Sequence, residues 1–341
     1  MRNRQIILKA YPVGMPKASD FELVERDVPK PGPGQVLVRT IYMSLDPYMR
    51  GRMNNNRRSY AEPIKLGEVC QGGTVGQVVA SNDPDFKEGD FVADFGGWQE
   101  YSISAKGFLR KLDPDLAPIS TAQGVLGMPG HTAYAGVIGL SKLKAGETLF
   151  VSAASGAVGG VVGQIARIKG ARAVGVAGTD EKCAFVRKEL RFDACFNHKG
   201  DLAAGFKEHC PKGVDVNFEN VGGEVFWNAF SRMNLHGRII ICGFISAYND
   251  TDLPPGPDRS GMILGGALVN RLTIHGLLVS DWMHLWADFQ RDVSGWIRSG
   301  ELRYREDIVK GLENAVPAFQ GLLQGKNFGK LLVQLSDDPT R

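Results

Sequence analysis

The pattern of apolar and polar positions changes about a third of the way along this 341-residue chain. Up to residue 122, short runs rich in β-branched residues stand between Gly and Pro clusters. Residues 35–41, 74–79 and 91–95 read as strands. Pro29, Pro31, Gly32, Pro33 and Gly34 precede the first, and Gly67, Gly72, Gly73, Gly76 and Gly89 punctuate the rest. Short strands between turn residues predict a compact, mostly antiparallel β domain over 1–122.

From residue 123 strands alternate with longer helical stretches. Residues 147–152 form an apolar strand, 159–169 have helical spacing, 173–177 form a strand, and a charged helix starts at Thr179. Strands at 215–219 and 238–243 flank a helix around 224–233, and 272–278 reads as the last strand. The unbroken run Ile239-Ile240-Ile241-Cys242 suits a parallel strand buried on both faces. This βαβ alternation predicts an α/β domain with a doubly wound parallel sheet over 123–300. Residues 285–299 read as a long helix leaving that domain. The tail, 301–341, holds a helix near 317–324 and a strand at 330–334. The Pro/Gly-rich segment 250–261 has no clear element.

One motif in the second domain carries chemistry. The run from Val151 to Gly160 follows a predicted strand and opens a predicted helix. It has the A-x-G-x-x-G form of a dinucleotide fingerprint in Ala154, Gly156 and Gly159. Gly156 lets backbone N–H groups approach a pyrophosphate, Gly159 lets the helix pack on its strand, and the positive helix end faces the phosphates. The next strand selects between NAD and NADP. An NAD site ends it with Asp or Glu for the ribose 2′-OH. Here it ends in Gly178 and Thr179, with Lys182 one turn on. A hydroxyl and a cation suit a 2′-phosphate, which an acid would repel. Asp180 better fits the first turn of the helix. NADPH is preferred on this reading, although Lys182 without the loop would be an ordinary helix lysine.

Composition narrows the classes. The net charge of +3 and the lack of long Lys/Arg runs argue against a nucleic-acid protein. No apolar stretch approaches the ~18 residues of a membrane span. Cys70, Cys183, Cys195, Cys210 and Cys242 form no C-x-x-C pair, which argues against a disulfide framework or structural zinc. A reducing, cytoplasmic setting is expected.

The run from Ser44 to Met53 (Ser44-Leu45-Asp46-Pro47-Tyr48-Met49-Arg50-Gly51-Arg52-Met53) resembles the zinc-independent alkenal/one reductase branch of the medium-chain dehydrogenases/reductases. That branch includes prostaglandin and leukotriene reductases, plant double-bond reductases and bacterial curcumin reductase. Further matches are Gly127 to Tyr134, Ala153 to Gly159, Glu219 to Gly223, Cys242 to Asn249 and Asn327 to Lys330. They cover nearly the whole chain in order, and are specific for the branch more than for a substrate. The resemblance implies a GroES-like β-barrel catalytic domain split around an inserted Rossmann domain, with the active site in the interdomain cleft. It also implies a homodimer joined through the cofactor domains, which an exposed edge strand near 272–278 would allow. Gly67-Glu68-Val69-Cys70 stands where zinc relatives carry Gly-His-Glu. His131, His198, His209, His236, His275 and His284 are scattered, so no zinc is expected.

By the same resemblance, Gly156, Ala157, Val158 and Gly159 would cradle the pyrophosphate. Gly178, Thr179 and Lys182 would take the 2′-phosphate, with His198 where the family often has Tyr. Asn220, Cys242, Gly243, Phe244, Ile245, Ser246 and Tyr248 would line the cofactor cleft. Leu277, Leu278 and Val279 would pass the nicotinamide, and Asn327 would reach the cofactor from the tail. Arg191 stands where relatives commonly have Gly at a helix end, so a local adjustment is expected there.

The implied reaction is NADPH-dependent reduction of a C=C bond conjugated to a carbonyl, on 2-alkenal, enone, curcumin-like or 15-oxoprostaglandin-like substrates. Hydride would go to the β-carbon, with charge developing on the carbonyl oxygen. Tyr248 is the first candidate to hydrogen-bond or protonate the enolate, and it reads equally as a packing or ribose contact. Tyr48 is the second. Met53, Met128 and Trp282 could wall the substrate or be ordinary core. The alternatives are an NADPH quinone reductase and a non-enzymatic NADPH-binding sensor.

Overall fold

At the N-terminus, β1 (Arg2–Leu8) pairs antiparallel with β2 (Phe21–Asp27), Leu8 standing opposite Phe21. Five further strands follow: β3 (Gln35–Ser44), β4 (Thr74–Ser81), β5 (Phe91–Asp94), β6 (Tyr101–Ala105) and β7 (Arg110–Leu112). A single helical turn, α1 (Met49–Arg52), follows β3. The computed structural model describes residues 1–55, 60–107, 109–252 and 256–341. The chain divides into two compact units, residues 1–124 with 306–341 and residues 125–305.

The second unit opens on α2 (Met128–Tyr134), where Pro129 stands in the first turn, the helical position that tolerates it. It then alternates β8 (Thr148–Val151), α3 (Gly159–Ile168), β9 (Arg172–Ala177), α4 (Asp180–Lys188), β10 (Ala194–Asn197), α5 (Leu202–His209), β11 (Val214–Glu219), α6 (Gly223–Phe230) and β12 (Met233–Ile241). It closes with α7 (Ser260–Asn270), β13 (Thr273–Gly276) and α8 (Trp286–Arg298). The sheet order is β10-β9-β8-β11-β12-β13, every pair parallel. This is the doubly wound order, whose direction reverses between β8 and β11. Phe150, Val174, Val176, Phe206, Phe230 and Ile239 pack one face, with the Phe150 and Phe206 rings 4.6 Å apart.

The chain then returns to the first unit with β14 (Glu306–Lys310), α9 (Ala315–Leu323) and β15 (Lys330–Gln334). Among the described residues this unit's sheet runs β14-β15-β3-β4-β5-β7, with β6 also on β3. Only the β14–β15 pair is parallel. One mainly antiparallel β unit and one Rossmann-type unit make up the α/β class expected from the sequence.

Several elements depart from the sequence reading. The helix expected over 224–233 stops at Phe230, and Met233 already begins β12. That strand bulges where His236 takes φ 62, and its pairing with β11 shifts between Val214 and Val216. It ends at Ile241 because Cys242 N and Gly243 N both donate to Glu219 O. The last strand is shorter than expected. α7 was missed because it is apolar on every side and shows no helical period. Arg191 itself takes the left-handed conformation, φ 57. Part of segment 250–261 lies outside the described residues.

Candidate functional site

Six loops follow the carboxyl ends of the six parallel strands and so share one edge of the sheet, where open α/β sheets bind ligands. They bring together Gly156 to Gly159, Gly178 and Thr179, His198, Asn220, Cys242 to Tyr248, and Leu277 to Val279. The glycine loop is tight. Ala153 takes φ 52, and its carbonyl accepts from Gly156 N at 2.9 Å. A Cβ at Gly159 would stand 2.4 Å from that same oxygen, so α3 can approach β8 only with glycine there. Gly156, Ala157 and Val158 stay half-exposed.

Beyond β9 the loop carries Gly178 and then Thr179, the N-cap of α4. Its hydroxyl accepts from Lys182 N at 3.2 Å. Asp180 accepts from Asn197 Nδ2 at 3.0 Å. Lys182 is 9% exposed, so its stem is packed against the protein. The His198 Nε2 lies 3.3 Å from where a Gly178 Cβ would stand. Burial, and secondly the Lys199 charge, hold the His198 imidazole below its usual pKa.

The centre of the edge is built on Glu219, which ends β11 with 2% exposure. Its Oε1 accepts from Ser152 Oγ at 2.7 Å, Val221 N at 2.8 Å and Gly222 N at 3.0 Å. Asn220 donates its N–H to Ser152 Oγ at 2.8 Å and its side-chain amide to Ser152 O at 2.9 Å. Asn220 O and Val221 O accept from Ile245 N and Ser246 N. Sequence reasoning quoted Glu219 only within a motif and gave Ser152 no role. The available signal was a serine just past the apolar run Leu149-Phe150-Val151 and an acid closing the strand Val214–Glu219.

On the neighbouring loop the Tyr248 ring meets Phe244 edge-on, centroids 5.2 Å apart. Its hydroxyl lies 3.0 Å from where a Gly243 Cβ would stand. Burial, with the Glu219 charge second, pushes the Cys242 thiol up to about 12. Leu277 is buried against Gly136, so its side chain is core, whereas Leu278 is exposed. Trp282 packs over Gly139. Met128 is 37% exposed at the start of α2.

The first unit holds Tyr48, Met53 and Asn327. Tyr48 is half-buried with the Arg52 guanidinium 5.4 Å from its ring centre. Arg52 also lies 5.4 Å from the Phe95 ring and donates to Gln71. Burial, and then the Asp46 charge, drive the Tyr48 phenol far above its usual pKa, so it remains a donor. Met53 corrects the sequence reading. It has no exposure and belongs to the apolar cluster of Met43, Met49 and Trp98, offering no surface to a substrate. Asn327 donates to Gly329 O at 2.9 Å and shapes its own turn. Cys70 is sealed in the same cluster as Met53, and burial pushes its thiol up to about 12.

Comparison with known proteins agrees with this architecture. A family model described as the N-terminal domain of oxidoreductase matches residues 4–112, and one described as zinc-binding dehydrogenase matches residues 157–298. The NADPH-dependent curcumin reductase of Escherichia coli is 47% identical over 339 residues, 99% of this chain and 98% of that protein. The NADP+-dependent 2-alkenal reductase of Nicotiana tabacum is 42% identical over 341 residues, 98% of each chain. The crystal structure of CurA from Vibrio vulnificus in complex with NADPH matches with a TM-score of 0.95 at 47% identity, covering 98% of this chain and 100% of that one. Likeness of this order over the full length, on the fold described, shows that the chain belongs to the alkenal/one reductase branch of the medium-chain dehydrogenase/reductase superfamily and is an oxidoreductase.

Proposed function

We propose that this chain reduces the C=C bond of α,β-unsaturated aldehydes and ketones with NADPH, including alkenals and extended curcumin- or 15-oxoprostaglandin-like enones. The observation that carries the reading is the shared sheet edge, where a tight glycine loop, a β9 end without a carboxylate, and Tyr248 all follow parallel strands. The residues fit NADPH. Gly178 leaves an open side beside His198, and Asp180, the nearby acid, is engaged by Asn197. In this reading Gly156, Ala157, Val158 and Gly159 hold the pyrophosphate, while Gly178, Thr179, Lys182 and His198 hold the 2′-phosphate. Asn220, the Cys242 to Tyr248 segment, Leu277 to Val279 and Asn327 are the residues proposed for the remainder.

NADPH supplies the hydride that reaches the β-carbon. The chain's part is to stabilise the oxygen on which charge develops and to deliver a proton to the α-carbon. Tyr248 donates a hydrogen bond to that oxygen. A phenol is a hydrogen-bond donor as well as an acceptor, which this role requires. Tyr48 is the second donor, and Met128 and Trp282 contribute apolar surface. A neutral Cys242 thiol is a poor nucleophile, which protects the site from its own electrophilic substrates. A metal has no part in this reading, because Cys70 lies closed within an apolar cluster.

The protein acts as a homodimer joined through the second unit. α7 exposes Met262, Leu264, Leu268 and Val269, and the edge strand β13 exposes Ile274. Such an apolar helix beside an unpaired edge calls for a cover, and a second copy supplies one. Among the described residues no helix is long and apolar enough to cross a membrane. All five cysteines are free thiols, which suits the cytoplasm.

The test follows the absorbance of reduced nicotinamide with NADPH and with NADH, offering an alkenal, a plain aldehyde, a quinone and a curcumin-like dienone. NADPH-preferring turnover of the enones to saturated carbonyls supports the proposal. Turnover of the quinone alone replaces it with a quinone reductase, and NADPH binding without turnover replaces it with a sensor.

A further inference from the structure

We propose that Glu219 is a positioning residue for the cofactor site: its carboxyl group ties the glycine loop to the turn after β11, and its backbone carbonyl holds the start of the Cys242 to Tyr248 segment. The inference rests on the NADPH reading above. The oxygen Oε1 collects three donors: the Ser152 hydroxyl, Val221 N and Gly222 N. Oε2 faces Asn217 Nδ2 at 3.4 Å. Both oxygens of the carboxyl group thus face donors, and together they satisfy them within the site. The partners it shows are neutral, so its burial is not the burial of an ion pair. A buried polar group is costly and persists where its hydrogen bonds compensate.

Each bond reaches a different part of the site. Ser152 follows β8 and leads into Ala153 to Gly159, so the hydroxyl bond sets the start of the glycine loop. The same hydroxyl accepts from Asn220 N, which fixes the residue proposed to face the cofactor. Val221 N and Gly222 N fold the turn back over the carboxylate, and Gly222 there takes φ 81, a conformation suited to glycine. The Glu219 carbonyl accepts from Cys242 N at 2.9 Å and Gly243 N at 3.0 Å, starting the segment that carries Tyr248. The pairing of Phe218 with Val151 brings Glu219 beside Ser152. Displacing the carboxyl group would loosen the glycine loop and the turn at Asn220 to Gly222 directly, and the Tyr248 segment through the bonds of Ile245 N and Ser246 N to Asn220 O and Val221 O.

The experiment compares full-length wild type with Glu219→Ala, Glu219→Gln and Ser152→Ala. It measures NADPH dissociation constants by nicotinamide fluorescence, melting temperature, and amide hydrogen exchange at Val221, Gly222 and residues 242–246. Glu219→Ala should weaken NADPH binding about tenfold, the scale of one lost hydrogen bond. Glu219→Gln, which restores one acceptor oxygen, should recover part of the loss. Ser152→Ala should weaken binding several-fold, and exchange at the named amides should quicken in all three. Variants that melt lower yet bind NADPH as wild type does overturn the proposal and leave the functional reading intact. If Glu219→Ala does not fold, the other two decide by the same criterion. Wild type that fails to bind NADPH overturns the functional reading itself, and this inference with it.

Discussion

Lys330 Nζ lies 2.6 Å from Asp46 Oδ1, with the two side chains 4% and 9% exposed. The ammonium also donates to Ser44 Oγ at 2.6 Å and Leu45 O at 3.0 Å. The pair fastens β15, just after Asn327, to the turn that presents Tyr48. Lys330→Met leaves Asp46 buried without its counter-charge and should cost about 3–5 kcal/mol. Adding Asp46→Asn should return part of that cost. Urea unfolding of the two single variants and the double variant measures the coupling, and simple additivity would show the pair to be uncoupled.

Tyr248→Phe removes the hydroxyl near Gly243 and keeps the ring contact with Phe244. Enone turnover at saturating NADPH should fall about a hundredfold, the scale of one lost oxyanion donor or positioned acid. NADPH affinity should change little. A kcat loss below about threefold would assign Tyr248 to packing.

His198 and His131 both titrate below their usual range, burial being the main cause. At neutral pH both are uncharged in the folded protein. As pH falls through about 6.5, the unfolded chain takes up protons first, so stability drops on the acid side of neutrality. Melting temperature between pH 7.5 and 5 checks this, and His131→Gln should flatten the decline. If His198 holds the 2′-phosphate as proposed, the bound phosphate draws the proton back. NADPH binding near pH 6 should therefore take up protons, NADH binding should take up fewer, and His198→Gln should abolish the difference. Calorimetry in buffers of different ionisation enthalpy reads the uptake directly.

Metal removal tests the place of Cys70. Dialysis against a strong chelator should leave enone turnover unchanged. Cys70→Ser places a hydroxyl in an apolar cluster and should destabilise the fold by about 1–3 kcal/mol without changing kcat. Loss of turnover on chelation, restored by zinc, would reverse the assignment.

Leu268 is 79% exposed on α7. If the proposed dimer forms through α7, Leu268→Glu should give monomers by light scattering while leaving single-chain NADPH binding intact. A wild type that is already monomeric at micromolar concentration would remove this interface.

The local code of the chain was legible wherever neighbouring residues carry the whole signal. The 74–79, 173–177, 215–219 and 330–334 runs all lie within strands, and the 159–169 and 285–299 patterns became α3 and α8. The fingerprint around Gly156 is a property of the backbone and needs glycine at fixed spacing, so it can be recognised before any fold is known. Met53 was different. Its type suits a pocket wall or a core equally, and the packing of Met43, Met49 and Trp98 around it decides. α7 was hidden because a helix apolar on all sides has no period to detect.

By itself, then, the sequence determined the alternation of elements, the class of the sheet and the family, because periodicity, turn chemistry and short motifs act over a few residues. The tertiary structure alone decided that Glu219 meets Ser152, that Lys330 meets Asp46, and that Leu277 turns inward while Leu278 faces out. Those relations join residues 67 and 284 positions apart or depend on which face is covered. Pairing register and packing create them, and neither is a property of any short stretch of chain.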